Sequence, residues 1–320
     1  MKIFYHFDDD GRCAAAIVYR ELRNVFDQMS GDDFIKYGHS GHIDPVDFRK
    51  NESVYIVDLA LDDTIYNSVI VPAVKAGSKV IHIDHHKTTL DNLDGVDSDV
   101  MSKITTFYKV GLSGTLLTWV YSLMNDDERK APDKVDFDFT DKITHVAFNP
   151  LTENMREYKI PDVIRFINDN DVWTHEIDES KYFNIGFKLE EDKHPTAKIW
   201  DNLIYTGTSR EVFKIVNDGK LIWDYQNLQN KRTMKNAFTS DVFGVPCLCV
   251  NGYGNSRVFG DMINAFPMVC IFHYAGDEGI WHYSLYSHAD GEDVSEIAKR
   301  YGGGGHRHAT AFISQRFLFE

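Results

Sequence analysis

Val80-Ile81-His82-Ile83-Asp84-His85-His86-Lys87 is the stretch that decides how this chain reads. Apolar, mostly β-branched residues run into one acid and two imidazoles. The run predicts a buried strand whose carboxyl end delivers three polar side chains to one place. Open α/β sheets gather ligands at strand carboxyl ends, and Asp with His is a ligand set for first-row transition metals. A His-rich surface turn reads the same in isolation. Two other segments separate the readings: Ser53-Val54-Tyr55-Ile56-Val57 runs into Asp58, and Lys2-Ile3-Phe4-Tyr5-His6-Phe7 runs into Asp8-Asp9-Asp10-Gly11.

Outward from these three ends, strands alternate with helices, which argues for a parallel sheet. Strands are expected at 2–7, 34–37, 53–58 and 79–84. A helix is expected at about 12–26, and another, capped by Asp62 or Asp63, runs through Val74 and closes at Gly77. A loop then continues through Thr106. Ser113 is a good N-cap for a helix over 114–124, and 125–132 reads as an exposed connection. Pro161 suits the first turn of a short helix that ends near Asn168 and empties into Asn168-Asp169-Asn170-Asp171-Val172-Trp173. A long helical pattern over 209–238, with Val212, Ile215, Leu221, Ile222 and Tyr225 as its apolar positions, is too polar for a core and reads as a bridge. Beyond Gly244-Val245-Pro246 come short strands at 247–250, 268–274 and 281–287, then a helix capped by Asp293. Gly302-Gly303-Gly304-Gly305-His306 and a last strand over 309–319 follow. The expectation is an α/β protein with a parallel-sheet domain over 1–208, a linking helix over 209–238 and a smaller α/β domain over 239–320.

The length of 320 residues suits two domains, and 43% hydrophobic content suits ordinary cores rather than disorder. No stretch approaches the roughly 18 apolar residues of a membrane span. Cys13, Cys247, Cys249 and Cys270 form no C-x-x-C pair, so free thiols in a reducing cytoplasm are expected. Thirty-four Lys and Arg against 49 Asp and Glu give a net charge of −15. A surface of that sign repels a long polyanion, so any phosphate substrate is expected to be short.

An Asp after a strand is most often a turn residue or helix cap, and Asp58 alone fits that reading. Asp8 and Asp10 could likewise cap a helix. Three successive carboxylates are costly unless a cation sits among them. Taken together, His6, Asp8, Asp10, Asp58, Asp84, His85, His86 and Asp169 are eight candidate ligands on four neighbouring elements. The Gly302–Gly305 run could be a plain loop or helix cap. Four glycines followed by His306 also let backbone amides approach an anion with no Cβ in the way.

In this arrangement the chain resembles the DHH phosphoesterases, named for the Asp-His-His of their third motif. His6-Phe7-Asp8-Asp9-Asp10-Gly11 is similar to the family's first motif, Val57-Asp58-Leu59-Ala60 to its second and Asp84-His85-His86 to its third. Asp169-Asn170-Asp171-Val172-Trp173 resembles the fourth, and Gly302 through His306 with Ala309 resembles the glycine-rich signature of the family's C-terminal domain. The matches keep the family's order across nearly the whole chain.

The resemblance implies two divalent ions, usually manganese, with magnesium or cobalt as alternatives. His6 and Asp8 would hold one, Asp10, His85 and Asp169 the other, with Asp58 bridging. Asp84 would orient a ligand histidine, and His86 would stand at the leaving group as proton donor or phosphate contact. Gly303, Gly304, Gly305 and His306 would meet the substrate. One departure matters: where the family commonly reads S-x-R-S, this chain reads Ser284-Leu285-Tyr286-Ser287. Tyr286 cannot neutralise a phosphate, though it could donate a hydrogen bond or stack on a base. Arg257, Arg300 or Arg307 could supply the missing charge. The implied activity is hydrolysis of short oligonucleotides to nucleoside monophosphates, as in nano-RNases, by a protein that could be a homodimer. A cyclic or linear dinucleotide phosphodiesterase and a phosphatase of bisphosphorylated nucleotides are near rivals. A non-catalytic nucleotide sensor is the rival of another class.

Overall fold

The computed structural model describes residues 1–23, 29–38, 42–140, 143–147, 155–205, 209–242 and 244–319. The chain divides into two compact units, Met1–Lys220 and Leu221–Glu320. The division falls inside the long helix, which runs Ser209–Thr233. The expected linker is therefore shared between the units rather than set apart from both.

The first unit is built on five parallel strands: β1 (Lys2–His6), β2 (Phe34–Tyr37), β3 (Ser53–Val57), β4 (Lys79–Asp84) and β5 (Thr105–Tyr108). Their order is β2-β1-β3-β4-β5, a doubly wound arrangement whose strand order reverses between β1 and β3. Ligand crevices open at such reversals, outside the strand carboxyl ends. Parallel strands buried on both faces require near-continuous apolar runs, and Phe4, Val54, Ile56, Val57 and Ile83 are all fully buried. One face packs against Ala14 and Ala15 of the helix Asp9–Ile17 and against Val18 just beyond it. The other packs against a helix over 63–76 through Ile65, Val69, Ile70 and Ala73. Asp62 caps that helix, accepting from the Ile65 amide at 2.7 Å, and left-handed Gly77 closes it.

Three differences from the sequence reading stand out. The expected loop through Thr106 contains β5, whose Thr-Thr-Phe-Tyr composition extends the sheet beside β4. The stretch between Pro132 and Pro161, where no strand is expected, holds an antiparallel sheet of β6 (Asp136–Thr140), β7 (Ile143–Ala147) and β8 (Met155–Lys159). Phe137, Phe139 and Tyr158 pack it onto the first core. The first helix runs Asp9–Ile17 and continues to Leu22 as a wider turn; its expected end at Phe26 lies outside the described residues.

The second unit holds a six-stranded mixed sheet in the order β13-β14-β12-β11-β10-β9. These are β9 (Phe238–Val242), β10 (Val245–Asn251), β11 (Met268–Ala275), β12 (Ile280–Tyr286), β13 (Gly304–His306) and β14 (Ala309–Ser314). Only β10 and β11 pair in parallel. The expected tail of the long helix is a tighter turn over Met234–Asn236, and β9 begins at Phe238. All four cysteines are free and buried. Among the described residues no helix is long and apolar enough to cross a membrane.

Candidate metal centre

At the β1/β3 reversal the polar strand ends converge. Three overlapping groups each bring their ligand atoms within 4.8 Å of one another: His6, Asp8 and Asp58; Asp10, His85 and Asp171; and Asp58, His85 and His86. Asp58 belongs to two of them. Its backbone is left-handed, with φ of 56°, a conformation Asp tolerates better than most residues. The turn carries the carboxyl group back over the strand end. His82, fully buried, steadies it, with Nε2 at 2.7 Å from the Leu59 carbonyl and Nδ1 at 2.8 Å from the Tyr108 hydroxyl.

Each of the other groups is held by a particular element. Asp8 caps the first helix, accepting from the Gly11 amide at 2.9 Å, and lies 2.5 Å from His6 Nδ1. Asp10 accepts from the amides of Gly114 and Thr115 at 2.7 and 2.8 Å. Those amides begin the helix Gly114–Leu123, whose N-terminal dipole favours an anion. A Cβ on Gly114 would stand 2.5 Å from that of Asp58, so only glycine allows the helix to come this close. Asp84 is fully buried. It accepts from the Thr89 hydroxyl and pairs with His86 Nδ1 at 2.8 Å. This hydrogen bond raises the His86 pKa above its ordinary value.

Electrostatically the cluster is unbalanced. His85 Nε2 lies 3.1 Å from Asp58, 3.5 Å from Asp171 and 3.9 Å from Asp10, yet burial lowers its pKa and opposes the charged imidazolium. Burial, then the charges of Asp10, Asp8, Asp171 and Asp84, drive the Asp58 carboxyl well above the usual range. Burial and the charges of Asp10 and Asp8 push Asp171 up to about 8. One oxygen of each, Asp58 Oδ2 and Asp171 Oδ2, is buried with no hydrogen-bond partner among the described residues. Buried carboxylate oxygens are normally bonded. An orphan pair among further acids and imidazoles fits divalent cations, and the oxygen-and-imidazole donor set suits manganese, magnesium or cobalt better than thiolate-seeking metals.

The structure places Asp169 elsewhere. Its carboxylate accepts from the Ser180 and Thr174 hydroxyls and from the Glu176 and Ile177 amides, the Thr174 and Glu176 bonds being 2.9 and 2.7 Å. These bonds outweigh burial and hold its pKa low. The cause lies in the helix, which runs Asp162–Asp171 rather than ending near Asn168. At about 100° per residue, positions 169 and 171 point to nearly opposite sides. Asp171 faces the cluster and Asp169 braces the start of the helix Asp178–Phe187. The Asp-x-Asp spacing at 169–171 was the available signal. Gly114, Thr115 and Thr89 carried none.

Two cavities of about 180 Å³ flank the cluster. One is lined by Asp8, Asp9, Asp10, Asn170, Asp171 and Asn184, among others. The other is lined by His6, Tyr37, Gly38, Asp58, Asp62 and His86, among others.

The remaining candidates lie in the second unit. Gly302, with φ of 72°, ends the helix Val294–Lys299. Its amide and that of Gly303 donate to the Lys299 and Ala298 carbonyls, which is a Schellman closure. Gly304, Gly305 and His306 pair with Ala311, Thr310 and Ala309. Tyr286, half-buried, packs on the cluster of Leu248, Val250, Val269 and Ile271. The Arg257 guanidinium stacks 3.7 Å over the Trp223 ring, and its buried Nη2 has no hydrogen-bond partner among the described residues. Arg307 borders a polar cavity with His288, Asp290, Glu292 and Asp293.

No family model matches the chain. An uncharacterised protein of Acanthamoeba polyphaga mimivirus is 23% identical over 273 residues, 83% of this chain and 54% of that protein. The chain thus spans about half the length of this curated relative. Among solved structures it is similar to a pGpG-specific phosphodiesterase, PggH, from Vibrio cholerae, at 10% identity and a TM-score of 0.49 over 98% of this chain and 92% of that one. It is similar to the DHH domain of a member of a family of ribosomal proteins, at 12% identity and a TM-score of 0.48 over 98% and 82%. An exopolyphosphatase-related protein from Bacteroides fragilis matches at 11% identity and a TM-score of 0.32 over 99% and 87%.

Proposed function

We propose that this chain is a divalent-cation-dependent phosphoesterase that hydrolyses short nucleotide phosphodiesters. The observation that carries the reading is the orphan pair, Asp58 Oδ2 and Asp171 Oδ2, buried among further acids and imidazoles at the reversal of a parallel sheet. His6 and Asp8 would hold one ion and Asp10, His85 and Asp171 the other, with Asp58 available to both. Bound ions would polarise phosphoryl oxygens and acidify water. His86, held by its Nδ1 contact with Asp84, would serve as proton donor to the leaving group. The resemblance of the motifs to DHH phosphoesterases supports the same activity, although it implied Asp169 where the geometry favours Asp171, and with it the finer reading of a nano-RNase-like enzyme releasing monophosphates.

In the second unit we assign substrate contacts to Gly304, Gly305, His306, Tyr286, Arg257 and Arg307, and not to Gly303, whose amide is taken by the Ala298 carbonyl. A net charge of −15 repels each further phosphate, so substrates of about two to five nucleotides are favoured over long strands. The test is Mn2+-dependent release of nucleoside monophosphate from a panel of dinucleotides, oligonucleotides of increasing length, cyclic dinucleotides and bisphosphorylated nucleotides, read by chromatography. Metal-dependent turnover that falls with length supports the reading. Tight binding without turnover of any member would mark a sensor, and equal rates on strands of twenty or more nucleotides would overturn the length preference.

A further inference from the structure

Three cations collect beside the metal centre in a chain whose net charge is strongly negative. Phe7 lies between His6 and Asp8 in the sequence, yet its ring is 47% exposed. The Arg12 guanidinium stands 4.2 Å from that ring's centroid and the Lys36 ammonium 4.5 Å from it. Asp9, the next residue but one, takes Arg12 at 3.3 Å and Lys193 at 3.1 Å. Lys36 comes from β2, next to the β1 end, and no carboxylate among the described residues lies within ion-pair distance of it.

Neutralisation of the acidic cluster does not account for this arrangement. The three cations face Asp9 and Phe7, residues that alternate along the chain with His6, Asp8 and Asp10 and take no part in the metal groups. One carboxylate meets two of the cations, and an aromatic face preorganises two. Cation–π contact holds a charge without cancelling it, so the patch keeps a surplus of positive charge. Each member of the 7–9 pair is one chain step, about 3.8 Å between Cα atoms, from a candidate ligand. An anion there would sit one group away from a phosphate at the metals.

We propose that Arg12, Lys36 and Lys193, set by Phe7 and Asp9, form a binding shoulder for a second phosphate group of the substrate, adjacent to the scissile one. This rests on the phosphoesterase reading and narrows its substrate class to nucleotides carrying at least two phosphates. The second group is either a terminal phosphomonoester or the next phosphodiester of a strand. Arg12 supplies a planar fork for phosphate oxygens, and Lys36 a point charge that its aromatic support does not neutralise.

The test uses the full chain with saturating Mn2+ and three substrates: ApA, 5′-phosphorylated pApA and ApApA. In the wild type, pApA or ApApA should show a KM at least tenfold below that of ApA, and which of them does identifies the source of the phosphate. Lys36→Glu should remove that advantage, with a smaller loss on ApA. Phe7→Leu should weaken it partially. Binding is measured in parallel by titrating analogues of pApA and ApA whose bridging oxygen is replaced by methylene. Lys36→Glu should erase the affinity difference between them. If wild type hydrolyses none of the three, the phosphoesterase reading fails while the titration still decides the shoulder. If the variant lowers affinity for both analogues equally, or neither analogue is preferred, the shoulder is wrong although hydrolysis stands.

Discussion

The amides of Gly114 and Thr115 donate to the Asp10 carboxylate, whereas those of Gly302 and Gly303 donate to the carbonyls of their own helix. Both pairs belong to glycine-marked helix ends, and the sequence drew attention to the second pair alone. In the first unit the close approach of a helix positions a buried acid that keeps further electrostatic demand around it. In the second unit close approach serves packing. A Cβ on Gly303 would stand 2.3 Å from the Ala311 carbonyl and 2.5 Å from the Phe312 Cβ, while Gly304 faces open space. A glycine run is therefore two things here, a helix closure followed by an edge strand. Any contact with an anion falls to Gly304, Gly305 and His306.

The contrast breaks most directly at Asp58. Asp58→Ala should lower turnover by about a thousandfold or more, in line with loss of a catalytic electrostatic group, and should reduce bound Mn2+ measured by elemental analysis. Wild-type turnover at saturating Mn2+ would remove the centre from the account. The two acids at the end of the Asp162–Asp171 helix give a sharper version. Asp171→Asn should lose bound metal while leaving stability intact or improved, because a repelling charge is gone. Asp169→Asn should keep the metal and lose about 1–3 kcal/mol of stability, since it disturbs a fully bonded buried carboxylate. The opposite pattern in denaturant melts and metal analysis would restore Asp169 as the ligand. His85→Ala and His86→Ala divide in the same way: the first should lose metal, the second should retain it and lose chemistry.

In the second unit the expected effects are smaller. Gly303→Ala should destabilise by about 1–3 kcal/mol through overpacking against β14. Gly304→Ala should change stability by under about 1 kcal/mol. A loss of substrate affinity in Gly304→Ala without loss of stability would show that the edge strand meets ligand. Unchanged affinity would leave the run with a structural task only.

How much of this was legible depends on which force set each feature. Parallel strands must be apolar throughout, so β1, β3 and β4 could be read from their sequences, as could the acids that interrupt them. The two-residue spacing that hid Asp171 is a matter of helix length. Where Asp162–Asp171 stops depends on packing of Val163, Ile164, Phe166 and Ile167 in the second core cluster, which no local pattern reports. Strand β6, Asp136-Phe137-Asp138-Phe139-Thr140, alternates strictly and carried a readable signal, whereas β7 and β8 alternate weakly. Phe137 packs on Phe139 at 5.4 Å and on Phe107 at 5.9 Å between ring centroids. Contacts of that range leave little trace in sequence. The cations around Phe7 were equally unreadable, because Arg12, Lys36 and Lys193 come from three separate segments.

Tyr286 tests whether the second unit holds a phosphate at all. It ends β12 with its ring against Leu248, Val250, Val269 and Ile271, and burial raises its pKa, so the hydroxyl stays neutral and offers at most one hydrogen bond. Tyr286→Arg would place a permanent charge at that strand end. If a terminal phosphate of the substrate lies there, affinity for a phosphorylated dinucleotide should rise about two- to fivefold, the scale of a partly exposed ion pair. If affinity falls instead, the ring is stacking on a base and the arginine has taken away that surface. A third result discriminates between the two units. Should Tyr286→Arg leave affinity unchanged while Lys36→Glu abolishes the preference for a second phosphate, recognition of that group belongs to the first unit, on the flank of the metal centre itself.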